Sequence, residues 1–211
     1  MLDLPSHITL RFASRALDDE YPLAPLSAEE RARLATFKSD GRRRAFALGR
    51  ATLRELLADR LALAGAEAPL VVAADGALEL PAGALHVSLS HTTTEGATIA
   101  LAAVASGAIG VDVEVLRPRH PELYRRILHP DEYPLLDSVS EGWSEGQVML
   151  WAMKEAVLKA CRTGFRVAAR DVRLSLEEGR QRGTAVVAGA QVWEVRYAER
   201  DGCAVAVAFL Q

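Results

Sequence analysis

The stretch Ile109-Gly110-Val111-Asp112-Val113-Glu114-Val115 alternates β-branched residues with glycine and acids, the signature of a strand. Ile109, Val111, Val113 and Val115 fall on one face; Asp112 and Glu114 share the other. At about 6 to 7 Å apart on that face, two ionised carboxylates repel by roughly 2 to 3 kcal/mol at an effective dielectric near 20. A hard divalent cation offsets such a repulsion, because Mg²⁺ takes one to three carboxylates and fills its other positions with water or phosphate oxygens. An isolated Asp-x-Glu is also common on exposed strands, so the pair needs support from elsewhere in the chain.

Downstream, Trp151-Ala152-Met153-Lys154-Glu155-Ala156-Val157-Leu158-Lys159 lies in a helical pattern from Gln147 to Cys161. Trp151, Glu155 and Lys159 are four residues apart and share one face, which stacks an aromatic, an acid and a base. Between strand and helix, a helical pattern runs from Pro121 to Leu136 and a loop is expected over Asp137 to Gly146. Beyond the helix, Asp171 to Leu176, Thr184 to Val187, Gln191 to Tyr197 and Cys203 to Phe209 read as antiparallel strands joined by glycine-containing turns.

Upstream the layout is similar. His7 to Ala13 alternates as a strand, Ser27 with Glu30 has the form of a capping box, and Phe46, Gly49, Leu53, Leu56, Leu57 and Leu61 recur at helical spacing from Arg42 to Leu63. Short β-like runs follow at Leu70 to Ala73, Leu85 to Ser90 and Ala97 to Val104. In Leu85-His86-Val87-Ser88-Leu89-Ser90-His91, alternation directs Leu85, Val87 and Leu89 inward and Ser88 and Ser90 outward, with His91 just past the strand end. A hydroxyl and an imidazole there are suited to phosphate oxygens. Each half thus runs strand, helices, strands, and Ser106-Gly107 marks the join. The expectation is an α+β fold of two similar subdomains related by a pseudo-two-fold, residues 1–106 and 107–211, the second carrying the paired acids.

Composition sets the outer limits. In 211 residues, half are hydrophobic and a quarter charged, as in a globular protein with its own core. The longest apolar run, Gly96 to Val104, is too short to span a bilayer, and the N-terminus lacks a signal-peptide layout, so a cytoplasmic protein without a membrane partner is expected. Cys161 and Cys203 have no metal-ligand spacing around them and read as buried thiols. The net charge of −3 gives no general affinity for nucleic acid. From Arg31 to Arg54, however, eight basic residues face a single acid, Asp40, which points to an anionic partner or to a solvated helix face.

Gly110-Val111-Asp112-Val113-Glu114, followed about forty residues later by Trp151 to Lys159, resembles the paired signature of the 4′-phosphopantetheinyl transferase superfamily. Ser88 to His91 and the Gly49-Arg50 helix look like that family's surfactin-type branch, a single chain with two pseudo-symmetric halves. The resemblance implies that Asp112, Glu114 and Glu155 hold Mg²⁺ on the pyrophosphate of coenzyme A, between the halves. It places Arg33, Ser90 and His91 at the 3′-phosphate, Asp75 and Gly76 beside the adenine, and Lys159 at the pyrophosphate. The implied partner is an apo acyl or peptidyl carrier protein with an acidic recognition helix, and the implied oligomeric state is a monomer. Glu155, itself or through a water on the ion, would accept the proton of the carrier serine, and Lys159 would assist departure of 3′,5′-ADP. This chain departs from the family pattern at Ala77, Ala152 and Ser88, none of which is an implied metal ligand. A metal-dependent phosphohydrolase and a non-catalytic carrier-binding module remain rival readings of the same acids.

Overall fold

The computed structural model describes residues 2–81, 85–140, 142–162, 167–187 and 191–210. It divides into two compact units: Ser6–Ser106, and Gly107–Gln211 together with Met1–Pro5. Both mix helix and sheet, an α+β architecture.

In the first unit, β1 (Ile8–Ala16) leads to α1 (Ala28–Ala35), which opens on the reciprocal cap between Ser27 and Glu30. The long α2 (Asp40–Leu61) starts two residues before the expected Arg42, because the Ser39 hydroxyl accepts from the Arg42 amide. A small hairpin of β2 (Val71–Val72) and β3 (Leu78–Glu79) precedes β4 (His86–Thr93) and β5 (Ala97–Ala105). The main sheet has the order β1-β5-β4, all antiparallel. Leu53, Leu56 and Leu57 of α2 pack on Ala102 and Val104 of the sheet with Val87 and Leu89 at the margin. Leu26, Leu34, Ala47 and Ala51 form a second cluster around α1.

The second unit begins with β6 (Ile109–Val115), then α3 (Pro121–Ile127), a 3₁₀ segment over Pro130–Leu135, the short α4 (Leu136–Val139) and α5 (Trp143–Cys161). The expected single helix from Pro121 to Leu136 is therefore broken, since Pro130 and Pro134 cannot extend an α-helical ladder. Helix α5 starts four residues earlier than expected. Its Gly146, which weakens a helical reading of the sequence, lies where the Leu136 carbonyl oxygen would come within 2.7 Å of any Cβ. Strands β7 (Arg173–Leu176), β8 (Arg182–Val186), β9 (Val192–Arg200) and β10 (Cys203–Phe209) complete an antiparallel sheet of order β6-β10-β9-β8-β7.

In each unit the last strand of the sheet lies between the first strand and the penultimate one, and the long helix packs on that last strand. In the second unit, Ala204, Ala206 and Ala208 of β10 meet Met149, Met153, Ala156 and Val157 of α5 in one core cluster. Small residues on the strand let the helix lie close to the sheet.

Candidate active site

Asp112 and Glu114 pair across the sheet with Ala206 and Ala204, so they share the face on which α5 lies. Gly110, at the start of that row, admits the helix. A Cβ there would overlap the carbonyl oxygen of Ala156 and stand 2.5 Å from the amide nitrogen of Ala160. Almost every α5 residue from Gly146 to Ala160 is buried, and the half-buried exceptions are Trp151, Glu155 and Lys159. One polar stripe of a buried helix thus runs beside the two acids of β6.

The contacts are specific. Lys159 Nζ donates to Asp112 Oδ1 at 2.7 Å and to the Val111 carbonyl oxygen at 3.1 Å. Trp151 Nε1 donates to Glu114 Oε1 at 3.4 Å, and Arg119 Nη2 donates to Glu114 Oε2 at 2.9 Å. Glu155 receives no hydrogen bond and forms no ion pair among the described residues. Burial raises the Glu155 pKa above its ordinary value, the charges of Asp112 and Glu114 raise it further, and Lys159 opposes them. Burial also raises Glu114, with Asp112 adding and Arg119 subtracting. The three carboxylates therefore lie within one another's electrostatic field.

Among the described residues, no three His, Cys, Asp or Glu side chains stand in a ready ligating arrangement. The β6 acids are instead turned to two cations of the chain itself, Lys159 and Arg119. The donor chemistry nonetheless suits a hard divalent ion: oxygen ligands only, on a rigid strand and a rigid helix, with mutual repulsion that a cation relieves.

One functional partner of the motif was missed by the sequence reading. Lys154, fully buried beside Glu155, donates to Glu132 Oε2 at 2.7 Å, to the Ala169 carbonyl at 3.1 Å and to the Val172 carbonyl at 2.6 Å. Glu132, 2 % exposed, also accepts from the amides of His129 and Leu174. Every ammonium proton and both carboxylate oxygens are used, so the pair fixes the rotation of α5 and hence where Glu155 points. A lysine among apolar neighbours in a helix was the available signal.

The remaining expected residues lie in the first unit. Ser88 and Ser90 are buried rather than solvent-facing, each 7 % exposed. His91 is inside β4, opposite Ala100, since the strand runs on to Thr93; its ring approaches Gly49 of α2, where a Cβ would lie 3.4 Å from His91 Cδ2. Arg33 sits in the last turn of α1 with its guanidinium 5.6 Å from the Phe37 ring centroid. Asp75 and Gly76 build the β2–β3 turn: Asp75 Oδ1 accepts from the Ala77 amide at 3.0 Å, and Gly76 adopts φ +86°, a conformation that favours glycine.

The basic run is largely consumed internally. Arg54 is 2 % exposed, ion-paired with Glu30 and bonded to the carbonyls of Gly65, Ala66 and Ala68. Arg43 and Arg44 are tied to Asp40, and Arg44 also to the Asp19 carbonyl. The reading of the basic run as a solvated helix face therefore does not hold for Arg54, whose length lets it reach the carbonyls of Gly65, Ala66 and Ala68.

Residues 108–208 match the family model of the 4′-phosphopantetheinyl transferase superfamily, which covers the unit carrying β6 and α5. In that unit the chain is similar to this superfamily. It is also similar to the 4′-phosphopantetheinyl transferase HetI of Nostoc sp. (strain PCC 7120), at 32% identity over 146 residues. That alignment takes in 67% of this chain and 62% of the relative, so the chain spans less than two thirds of the relative's length. No described helix is long and apolar enough to cross a membrane.

Proposed function

We propose that this protein transfers the 4′-phosphopantetheine arm of coenzyme A to a serine of an apo acyl or peptidyl carrier protein, releasing 3′,5′-ADP. The observation that carries the reading is the convergence of Asp112 and Glu114 on β6 with Glu155 and Lys159 on α5, in a unit matched by this superfamily's model. Asp112, Glu114 and Glu155 would hold Mg²⁺, which when bound supplies positive charge to the pyrophosphate.

The chain's own residues account for the rest. The serine oxygen of the carrier attacks the β-phosphorus, its proton passes to Glu155, and the bond from the β-phosphorus to the bridging oxygen breaks so that 3′,5′-ADP leaves. Glu155, half-buried on the polar stripe of α5 beside the two β6 acids, is the carboxylate proposed to take that proton. Lys159, held by Asp112 one turn from Glu155, supplies a cation for the leaving phosphate. Arg33, Ser90 and His91 are proposed for the 3′-phosphate and Asp75-Gly76 for the adenine. The reading further entails a monomer in the cytoplasm and a carrier with an acidic recognition helix.

Mass spectrometry of apo carriers incubated with the protein, coenzyme A and Mg²⁺ tests it: one carrier should gain the phosphopantetheine arm, with 3′,5′-ADP formed only when carrier is present. Release of 3′,5′-ADP from coenzyme A alone would identify a hydrolase instead.

A further inference from the structure

The two cations that hold the β6 acids differ in kind. Lys159 comes from a buried helix and is fixed twice, by Asp112 and by the Val111 carbonyl. Arg119 comes from the segment between β6 and α3, and among the described residues its side chain hydrogen-bonds only to Glu114 Oε2. Four of its five N–H donors are thus uncommitted to other side chains or carbonyls among the described residues. Trp151 meanwhile holds the other Glu114 oxygen, so this carboxylate keeps its orientation if Arg119 leaves.

We propose that Arg119 is a phosphate-binding residue of the transfer site, held on Glu114 until a divalent cation takes that carboxylate and then turned to the pyrophosphate of coenzyme A. The assignment rests on the transferase reading above. Oε2 of Glu114 cannot serve a divalent cation and a guanidinium together without placing like charges side by side. An ion that binds Glu114 therefore expels Arg119. The stem of Arg119 stays in place, because the backbone before it is anchored by the Leu116 amide on Gly202 and the Arg117 amide on Val115. A freed guanidinium within side-chain reach of the ion needs a new anion, and the reaction brings one: a pyrophosphate, whose paired oxygens match the planar donor fork of arginine.

The test pairs an ion-binding measurement with kinetics. Titration of Mn²⁺ in the calorimeter, without coenzyme A, should show Arg119→Gln binding the ion about two- to fivefold more tightly than the parent, the size expected for removing a partly exposed competing pair. With a carrier present, the KM for coenzyme A should rise about tenfold or more through loss of a charge-assisted contact, and Arg119→Lys should recover part of it. Weaker or unchanged ion binding in Arg119→Gln, or an unchanged KM, overturns the assignment while leaving the transferase reading intact. If the parent protein binds neither Mn²⁺ nor coenzyme A and loads no carrier, the transferase reading fails and takes this assignment with it.

Discussion

Gly110 of β6 lies so close to Ala156 of α5 that a Cβ at this position would overlap the Ala156 carbonyl oxygen. The backbone of the helix cannot yield as a flexible side chain would. Gly110→Ala should push α5 off the strand, at a cost of about 1 to 3 kcal/mol or more in unfolding free energy. Because Glu155 and Lys159 move with α5, divalent-ion affinity should fall as well. Denaturant unfolding and Mn²⁺ titration of the variant check both; an unchanged affinity would show that the spacing of β6 and α5 does not set the acid cluster.

Breaking the buried Lys154–Glu132 pair from one side should be costly, because the remaining group stays charged among apolar neighbours. Lys154→Met is expected to lose about 3 to 5 kcal/mol of stability. The double variant Lys154→Met, Glu132→Gln should recover part of that loss, since no lone ion is left behind. Equal losses in the single and double variants, read from urea midpoints, would refute the coupling.

The raised pKa of Glu155 has a defined pH signature. Below the ordinary value of 4.5 the carboxyl is protonated in both the folded and the unfolded chain, and it costs nothing. As pH climbs from 4.5 through the raised folded value, the unfolded chain releases its proton first and stability declines. Glu155→Gln removes that decline, so without divalent ions the variant should be more stable than the parent at neutral pH and equal to it in acid. Added Mg²⁺ should stabilise the parent more than the variant. A variant less stable than the parent at every pH would exclude the electrostatic origin.

In catalysis the same substitution should be severe. Glu155→Gln keeps the shape of the side chain but neither accepts a proton nor offers a charged ligand. Turnover at saturating coenzyme A and carrier should drop by about 10² to 10⁴ while circular dichroism is unchanged. Near-normal transfer by this variant would remove Glu155 from the mechanism.

Local pattern carried much of this outcome. The Ser27–Glu30 cap, the bounds of β6 and the four-residue spacing of Trp151, Glu155 and Lys159 all depend on residues near one another in the chain, and they stand in the structure as read. Readings that depended on what covers an element fared worse. Alternation directs Ser88 and Ser90 outward, yet it fixes only which side of a strand a residue occupies, and both are buried. Gly146 suggested a loop because its low helix propensity is a local property, whereas its place within α5 is set by the approach of Leu136.

By itself the sequence determined the α+β layout, the acid pair of β6 and the helical stripe of α5, because period-two and four-residue repeats are written directly in residue order. Only the tertiary structure decided that Lys159 and Arg119 hold the two acids, that Lys154 is locked to Glu132, and that Arg54 is spent on carbonyls. Those choices turn on distances between residues far apart in the chain, where charge and burial select one partner among many that composition alone leaves equivalent.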